Sequence, residues 1–182
     1  IDDVSKEQRR FAKTINFGVM YGMSAFRLSR ELKIPRKKAD EFIGSYFKRY
    51  KKIKAFIEKV SEEARDGGTV RTIRGHERFI HGINSRNATE RAGAERMALN
   101  TPIQGSAADI VKMAMLNLDE EIRSRGLKSR LLLQVHDELI FEVPEDEVEI
   151  MEDTVVKVME SVVTLDIPLK VSIETGSCWG EM

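Results

Sequence analysis

Arg9, Lys13, Phe17 and Tyr21 stand four residues apart, and those residue types could do chemistry if their segment is helical. On a helix that spacing stacks them along one face. The face then reads cation, cation, ring, ring over about 18 Å at 1.5 Å per residue. Such a row suits a ligand with a polyphosphate at one end and a flat base or sugar at the other. An amphipathic surface helix with solvated cations and two core aromatics would carry the same pattern. Far along the chain, Asp137 and Glu138 are adjacent carboxylates between two apolar runs. A carboxylate on a rigid turn is a good Mg²⁺ ligand, because Mg²⁺ takes one or two carboxylates together with substrate phosphates. A turn that simply uses Asp would look the same. Joined in space, the helix face and the carboxylate turn would suit phosphoryl or nucleotidyl transfer. Spacing alone does not join them.

The elements that must position these groups are readable. Ser5 and Gln8 form a capping box that opens a helix over 5–22. Gly18 lies inside it at a cost of about 1 kcal/mol relative to alanine, which predicts a close approach of a helix, backbone or ligand. Gly22 supplies the stop. A short helix over 24–33 ends before Pro35. A longer one over 36–65 carries Phe42, Tyr46, Phe47, Tyr50 and Phe56, which predict a buried aromatic stripe. A hairpin around Gly75 joins strands over 69–73 and 78–83. Asn87 and Glu90 cap a helix to about Leu99, and Pro102 separates it from a long helix over 103–125. Strands over 130–135 and 138–143 leave only His136 and Asp137 between them, a tight hairpin with a polar tip. Pro144 opens a helix to about 163, and a final strand runs over 169–174. His76 and His81 have no partner at metal-binding spacing.

Bulk composition bounds the rest. The 182 residues are 41% hydrophobic and 33% charged, the profile of an ordered globular chain. The single cysteine, Cys178, excludes an intrachain disulfide and a Cys-cluster zinc site, and suits a reducing compartment. No apolar run of membrane-spanning length occurs, and there is no signal-peptide pattern. The net charge of zero conceals an asymmetry: residues 1–130 carry 28 Lys and Arg against 17 Asp and Glu, and residues 131–182 carry 2 against 13. The basic part favours a polyanion such as nucleic acid. Most of the acids, especially Glu145 to Asp153, read as a solvated face.

Arg9-Arg10-Phe-Ala-Lys13-Thr14-Ile-Asn-Phe17-Gly18-Val-Met-Tyr21-Gly22 resembles motif B of family A DNA polymerases, the bacterial DNA polymerase I type. Val135-His136-Asp137-Glu138 resembles motif C of that family. Between them, Glu95-Arg96-Met-Ala-Leu-Asn100-Thr-Pro102-Ile-Gln104-Gly105-Ser-Ala-Ala-Asp109 is similar to its palm helix pair. The resemblance implies an α+β fold: mainly helical fingers over 1–84, then the C-terminal half of an antiparallel palm over 85–182. It implies template-directed transfer of a nucleotide to a primer 3′ hydroxyl, with two Mg²⁺ (Mn²⁺ as a substitute), in a bacterial cytoplasm and nucleoid.

By that resemblance Arg9 and Lys13 contact the phosphates of the incoming dNTP, Phe17 lies against its sugar and base, and Tyr21 sits at the pivot of closure. Phenylalanine rather than tyrosine at 17 is associated with discrimination against dideoxynucleotides. Asp137 binds the metals, with Lys13 and the accessory carboxylate Glu138 completing the catalytic set. His136 contacts the primer terminus. Arg96, Asn100, Gln104 and Gln134 line the minor groove of the primer–template, where the N3 and O2 acceptors of every base pair allow geometry to be checked without reading sequence.

Two departures follow. The family places a second catalytic aspartate, in motif A, upstream of motif B, and Asp2 and Asp3 lack that motif's surroundings. Gly75-His76-Glu77-Arg78-Phe79 stands where the family has a more basic stretch. The chain alone is therefore expected not to polymerise, to need the N-terminal palm and thumb in cis or as another chain, and to expose a sheet edge or apolar patch. A DNA-binding module or split subunit without turnover is the alternative, and a helical scaffold with solvated charges is a third.

Overall fold

The computed structural model describes residues 4–181, so Asp2 and Asp3 lie outside the described residues. Contacts divide the chain into two compact units, Ile1–Gly105 and Ser106–Met182. The fold is α+β, mainly helical, with two separate two-stranded antiparallel sheets.

The first unit holds α1 (Lys6–Met20), α2 (Ala25–Leu32), α3 (Arg36–Arg49), α4 (Lys51–Gly67), β1 (Thr69–Arg71), β2 (Glu77–Phe79) and α5 (Ala88–Asn100). The expected capping box opens α1: Ser5 Oγ accepts the Gln8 N–H at 3.1 Å, and Gln8 Oε1 accepts the Ser5 N–H at 2.8 Å. Gly22 takes φ +76° and stops it. The predicted single helix over 36–65 is instead two helices that meet at Tyr50, with φ −105° and ψ 63°. The corner gathers rings, with Tyr46 and Tyr50 centred 4.8 Å apart and Tyr46 and Phe47 edge-on at 5.6 Å. Periodicity does not register a corner that turns the same face inward on both sides. The stripe is also less buried than expected: Tyr46 is buried, but Phe42, Tyr50 and Phe56 are exposed.

The core of this unit lies between α4, α5 and β1. Val60, Ala64, Val70, Ile80, Ile83, Ala94, Ala98 and Leu99 form one buried cluster, with Ile57 against it. Ala94 and Ala98, one turn apart, give α5 a small-residue face toward α4. Asn87 caps α5, its Oδ1 accepting the N–H groups of Thr89 and Glu90 at 2.9 and 3.4 Å. Pro102 does not end this helical run. A π turn, Thr101–Gly105, carries the backbone onward. The first compact unit runs to Gly105, and within it α5 shares its core with α4.

The second unit holds α6 (Ser106–Ser124), β3 (Arg130–Val135), β4 (Glu138–Glu142) and α7 (Val148–Ser161), with a 3₁₀ turn at Glu145–Glu147 where the sequence predicted α-helix from Pro144. Leu118 and Ala114 of α6 and Met151 of α7 are its buried apolar centre. Arg125 fastens the two helices: its Nε donates to Glu121 Oε2 at 2.8 Å and its Nη1 to Thr154 Oγ1 at 3.1 Å.

The predicted strand over 169–174 is absent: the segment has no strand partner. Glu160 holds it instead, accepting from Lys170 Nζ at 3.0 Å and from the Val171 N–H at 3.1 Å. In β3 the pairing shifts between Leu131 and Leu133, so Leu132 is an extra, bulged residue. The bulge breaks the alternation of faces, and Leu132 and Leu133 are both exposed, at 53% and 49%.

Candidate nucleotide and metal site

The α1 row is displayed as the spacing requires. Arg9, Lys13 and Phe17 are exposed and Tyr21, the C-cap, is half-buried. Each four-residue step overshoots a turn by about 40°, so the row winds around about a third of the helix from Arg9 to Tyr21. The rings of Phe17 and Tyr21 are nearly parallel, 12° between planes with centroids 6.4 Å apart. Phe17 is 54% exposed, an aromatic face kept out of the core.

Beside these rings lies a cavity of about 290 Å³, lined in part by Phe17, Tyr21, Gly22, Met23, Arg27 and Arg96. The structure therefore brings Arg96, predicted from the palm helix pair, to the aromatic end of the α1 row. Gly18 packs directly under Met23: a Cβ there would fall 2.5 Å from Met23 Cε and 2.9 Å from Met23 Sδ, displacing the end of that flexible side chain. The close approach predicted at Gly18 is thus the Met23 side chain.

Arg27 belongs to no motif in the sequence. It reaches the cavity only because Gly22 and Met23 turn the chain, and Ser24 then starts α2 by accepting the Arg27 N–H at 3.3 Å. No spacing rule signals that placement.

A larger concavity, about 670 Å³, lies away from the row, between α1 (Ala12, Ile15) and α3 (Phe42, Tyr46). Size alone would favour it as a ligand site, yet it includes none of the predicted nucleotide residues. Burial, and secondarily Tyr50, raises the Tyr46 phenol above its ordinary value there.

Along α5, Arg96 is exposed and Asn100 half-buried, and Gln104 is exposed within the π turn. Asn100 Oδ1 is buried with no hydrogen-bond partner among the described residues. In the stretch that departs from the family pattern, Glu77 is the ion-pair partner of Arg71, so an acid there neutralises a neighbouring cation.

In the second unit, Val135 pairs with Glu138, so His136 and Asp137 form the two-residue tip as expected. His136 takes φ +58°, a left-handed conformation that His tolerates better than most residues. Gln134 Nε2 donates to the His136 carbonyl at 3.0 Å and braces the tip. Gln134, His136, Asp137 and Glu138 are all exposed at or beside the tip. The described residues contain no cluster of three or more His, Cys, Asp or Glu able to hold a metal ion. By donor chemistry alone, Asp137 and Glu138 match the one or two carboxylates that Mg²⁺ takes from protein when phosphates supply its other ligands. That donor set fits a share of a metal site.

The hairpin is anchored from within the acidic run Glu145 to Asp153. Glu147 is buried: its Oε1 accepts the Lys128 N–H at 2.8 Å, and its Oε2 accepts the Ser129 N–H at 2.9 Å and the Ser129 hydroxyl at 2.6 Å. The Lys128 N–H bond first, then the Ser129 hydroxyl, holds its carboxyl below the ordinary value. Lys128 and Ser129 precede β3 and Glu147 follows β4, so this carboxylate clamps the two ends of the β3–β4 hairpin.

Comparison with known proteins places the chain. A family model for DNA polymerase family A matches residues 1–181. DNA polymerase I of Treponema pallidum (strain Nichols) is 54% identical over 181 residues, which are 100% of this chain and 18% of that protein. DNA polymerase I of Bacillus subtilis (strain 168) is 48% identical over 178 residues, 98% of this chain and 20% of that protein. Among solved structures, the POL domain of Pol1 from M. smegmatis, in complex with DNA primer-template and dNTP, is similar with a TM-score of 0.90 and 44% identity, over 94% of this chain and 30% of that one. The chain thus spans about a fifth of the length of these curated relatives.

Proposed function

The chain belongs to DNA polymerase family A, and from that premise we propose that it is the nucleotide-gripping fingers (1–84) and C-terminal half-palm (85–182) of a DNA-directed DNA polymerase. Support comes from one observation above all: the exposed row of Arg9, Lys13 and Phe17 on α1 ends beside the cavity that Tyr21 shares with Arg96.

Each residue's chemistry follows from its kind and place. Arg9 offers a planar fork of donors to phosphate oxygens, and Lys13 a compact charge one turn further on. Phe17 offers an apolar face to sugar and base, with its ring parallel to that of Tyr21. Asp137, with Glu138, would hold divalent metal at the hairpin tip, and His136 would meet the primer end. Bound there, two divalent metals supply charge neutralisation at the phosphates and activation of the primer hydroxyl. Arg96, Asn100, Gln104 and Gln134 would hold the primer–template through minor-groove acceptors. The primer–template, dNTP and the remainder of the polymerase are the partners. Asp137 is one carboxylate of a two-metal clamp, so the 182-residue segment by itself is proposed not to extend a primer.

Titration of dNTP in single-turnover incorporation by the whole polymerase tests the grip. Arg9→Ala should weaken apparent dNTP affinity by about ten- to a hundredfold, the worth of one charged hydrogen bond of about 1.5–3 kcal/mol. Lys13→Ala should slow incorporation as well as weaken affinity. Unchanged dNTP dependence in both variants would remove α1 from the nucleotide site.

A further inference from the structure

Arg96, Asn100 and Gln104 are four residues apart, but they do not lie on one uninterrupted α-helix. In an α-helix each step of four overshoots a full turn by about 40°, so the third side chain would stand about 80° around from the first. A π turn closes its hydrogen bonds over one more residue, so each residue advances the helix by a smaller angle. Here the first step, Arg96 to Asn100, is α-helical, and the second, Asn100 to Gln104, crosses the π turn Thr101–Gly105. The first step overshoots and the second falls short. Gln104 is thereby rotated back toward the line of Arg96.

Three residues build that turn. Pro102 has no N–H to offer the Ala98 carbonyl, and its ring crowds that carbonyl, so an unbroken α-helix is disfavoured at this point. Thr101 doubles the hold on the neighbouring carbonyl: its backbone N–H and its hydroxyl, the latter at 2.8 Å, both donate to Met97 O. Gly105 closes the turn against Thr72, where an added Cβ would fall 2.7 Å from Thr72 Cγ2. Thr72 has little room to yield. Its N–H donates to the His76 carbonyl at 3.0 Å, its carbonyl accepts the Gly75 N–H at 2.9 Å, and its hydroxyl accepts the His76 N–H at 3.2 Å. The last bond fixes the side-chain rotamer and with it the methyl.

We propose that Pro102 and the Gly105–Thr72 contact are positioning elements that set Gln104 in line with Arg96 and Asn100 for contact with the DNA minor groove. This rests on the DNA contact proposed above for that row.

The test is equilibrium binding of a matched primer–template to the whole polymerase, read by fluorescence anisotropy in a double-mutant cycle. In the wild-type background, Gln104→Ala should weaken binding about fivefold, one neutral hydrogen bond, and Arg96→Ala about tenfold or more. In a Pro102→Ala background, Gln104→Ala should have little further effect, while Arg96→Ala, which precedes the turn, keeps its full effect. Gly105→Ala should weaken binding about as much as Gln104→Ala. Adding Thr72→Ser, which deletes the methyl and keeps the hydroxyl, should restore it. Equal Gln104→Ala effects in both backgrounds, or no rescue by Thr72→Ser, would overturn the positioning role alone. No effect of Arg96→Ala or Gln104→Ala in the wild type would overturn the DNA contact and the positioning role together. A purely structural Pro102 would change stability and affect both arms of the cycle alike.

Discussion

Replacing Gly22 by alanine probes the turn that ends the nucleotide face. Gly22 sits at φ +76° between α1 and α2, where an L side chain costs about 1–2 kcal/mol. The new Cβ would stand 3.4 Å from Leu99 Cδ1 and 3.7 Å from Arg96 Cγ, near-ordinary contacts. The backbone term therefore decides the result, and Gly22→Ala should destabilise the first unit by about 1–2 kcal/mol. Gly44 provides the opposite sign. It lies inside α3 with nothing within 4 Å of its Cβ position, so alanine there should stabilise by about 1 kcal/mol. In a unit of about 100 residues, 1 kcal/mol moves the thermal midpoint by roughly 4–8 °C. Far-UV circular dichroism melts of the chain should therefore fall for Gly22→Ala and rise for Gly44→Ala. Gly22→Ala as stable as wild type, or Gly44→Ala less stable than it, would refute the reasoning from backbone geometry.

Acid should loosen the second unit. The Glu147 and Glu160 carboxyls are held below their ordinary 4.5, chiefly by the Lys128 N–H and by the Lys170 ammonium respectively. Their stabilisation is fully present above about pH 4.5, shrinks as pH falls below it because the unfolded chain takes up protons first, and is gone below the folded values. Urea midpoints measured from about pH 6 to about pH 3 should drop, and Glu147→Gln should flatten that drop. Phe17→Tyr should raise dideoxynucleotide incorporation about fivefold or more, the worth of one added hydroxyl contact near the sugar, measured as a ratio of incorporation efficiencies in the whole polymerase.

The parts of the fold legible in the sequence are those decided within a few residues. The Ser5–Gln8 box, the Gly22 stop, the Asn87 cap and the His136-Asp137 tip each depend on local chemistry, and each is where the pattern put it. Glu147 was not legible. It sits in an acidic run that reads as solvated, and its role depends on Lys128 and Ser129, brought back by the hairpin between them. Nor was the corner at Tyr50, since apolar spacing persists through it. The 169–174 segment has strand-like residues without a strand to pair with, and pairing is what makes a strand. For the candidate site, the α1 row and the hairpin tip were visible as motifs, whereas Arg27 beside Arg96 required the turn at Gly22. The π turn was hidden behind Pro102, which read as an interruption and is a change of helical pitch.

Asp137 carries the central claim, that this chain supplies the metal hairpin of a template-directed polymerase. The direct measurement is Mg²⁺-dependent single-turnover extension of a primer by the whole polymerase with Asp137→Ala, with primer–template affinity measured alongside. Asp137→Ala should lose at least about a thousandfold in incorporation rate, roughly 4 kcal/mol of barrier, with DNA affinity changed less than about fivefold. Incorporation at the wild-type rate by Asp137→Ala would contradict it.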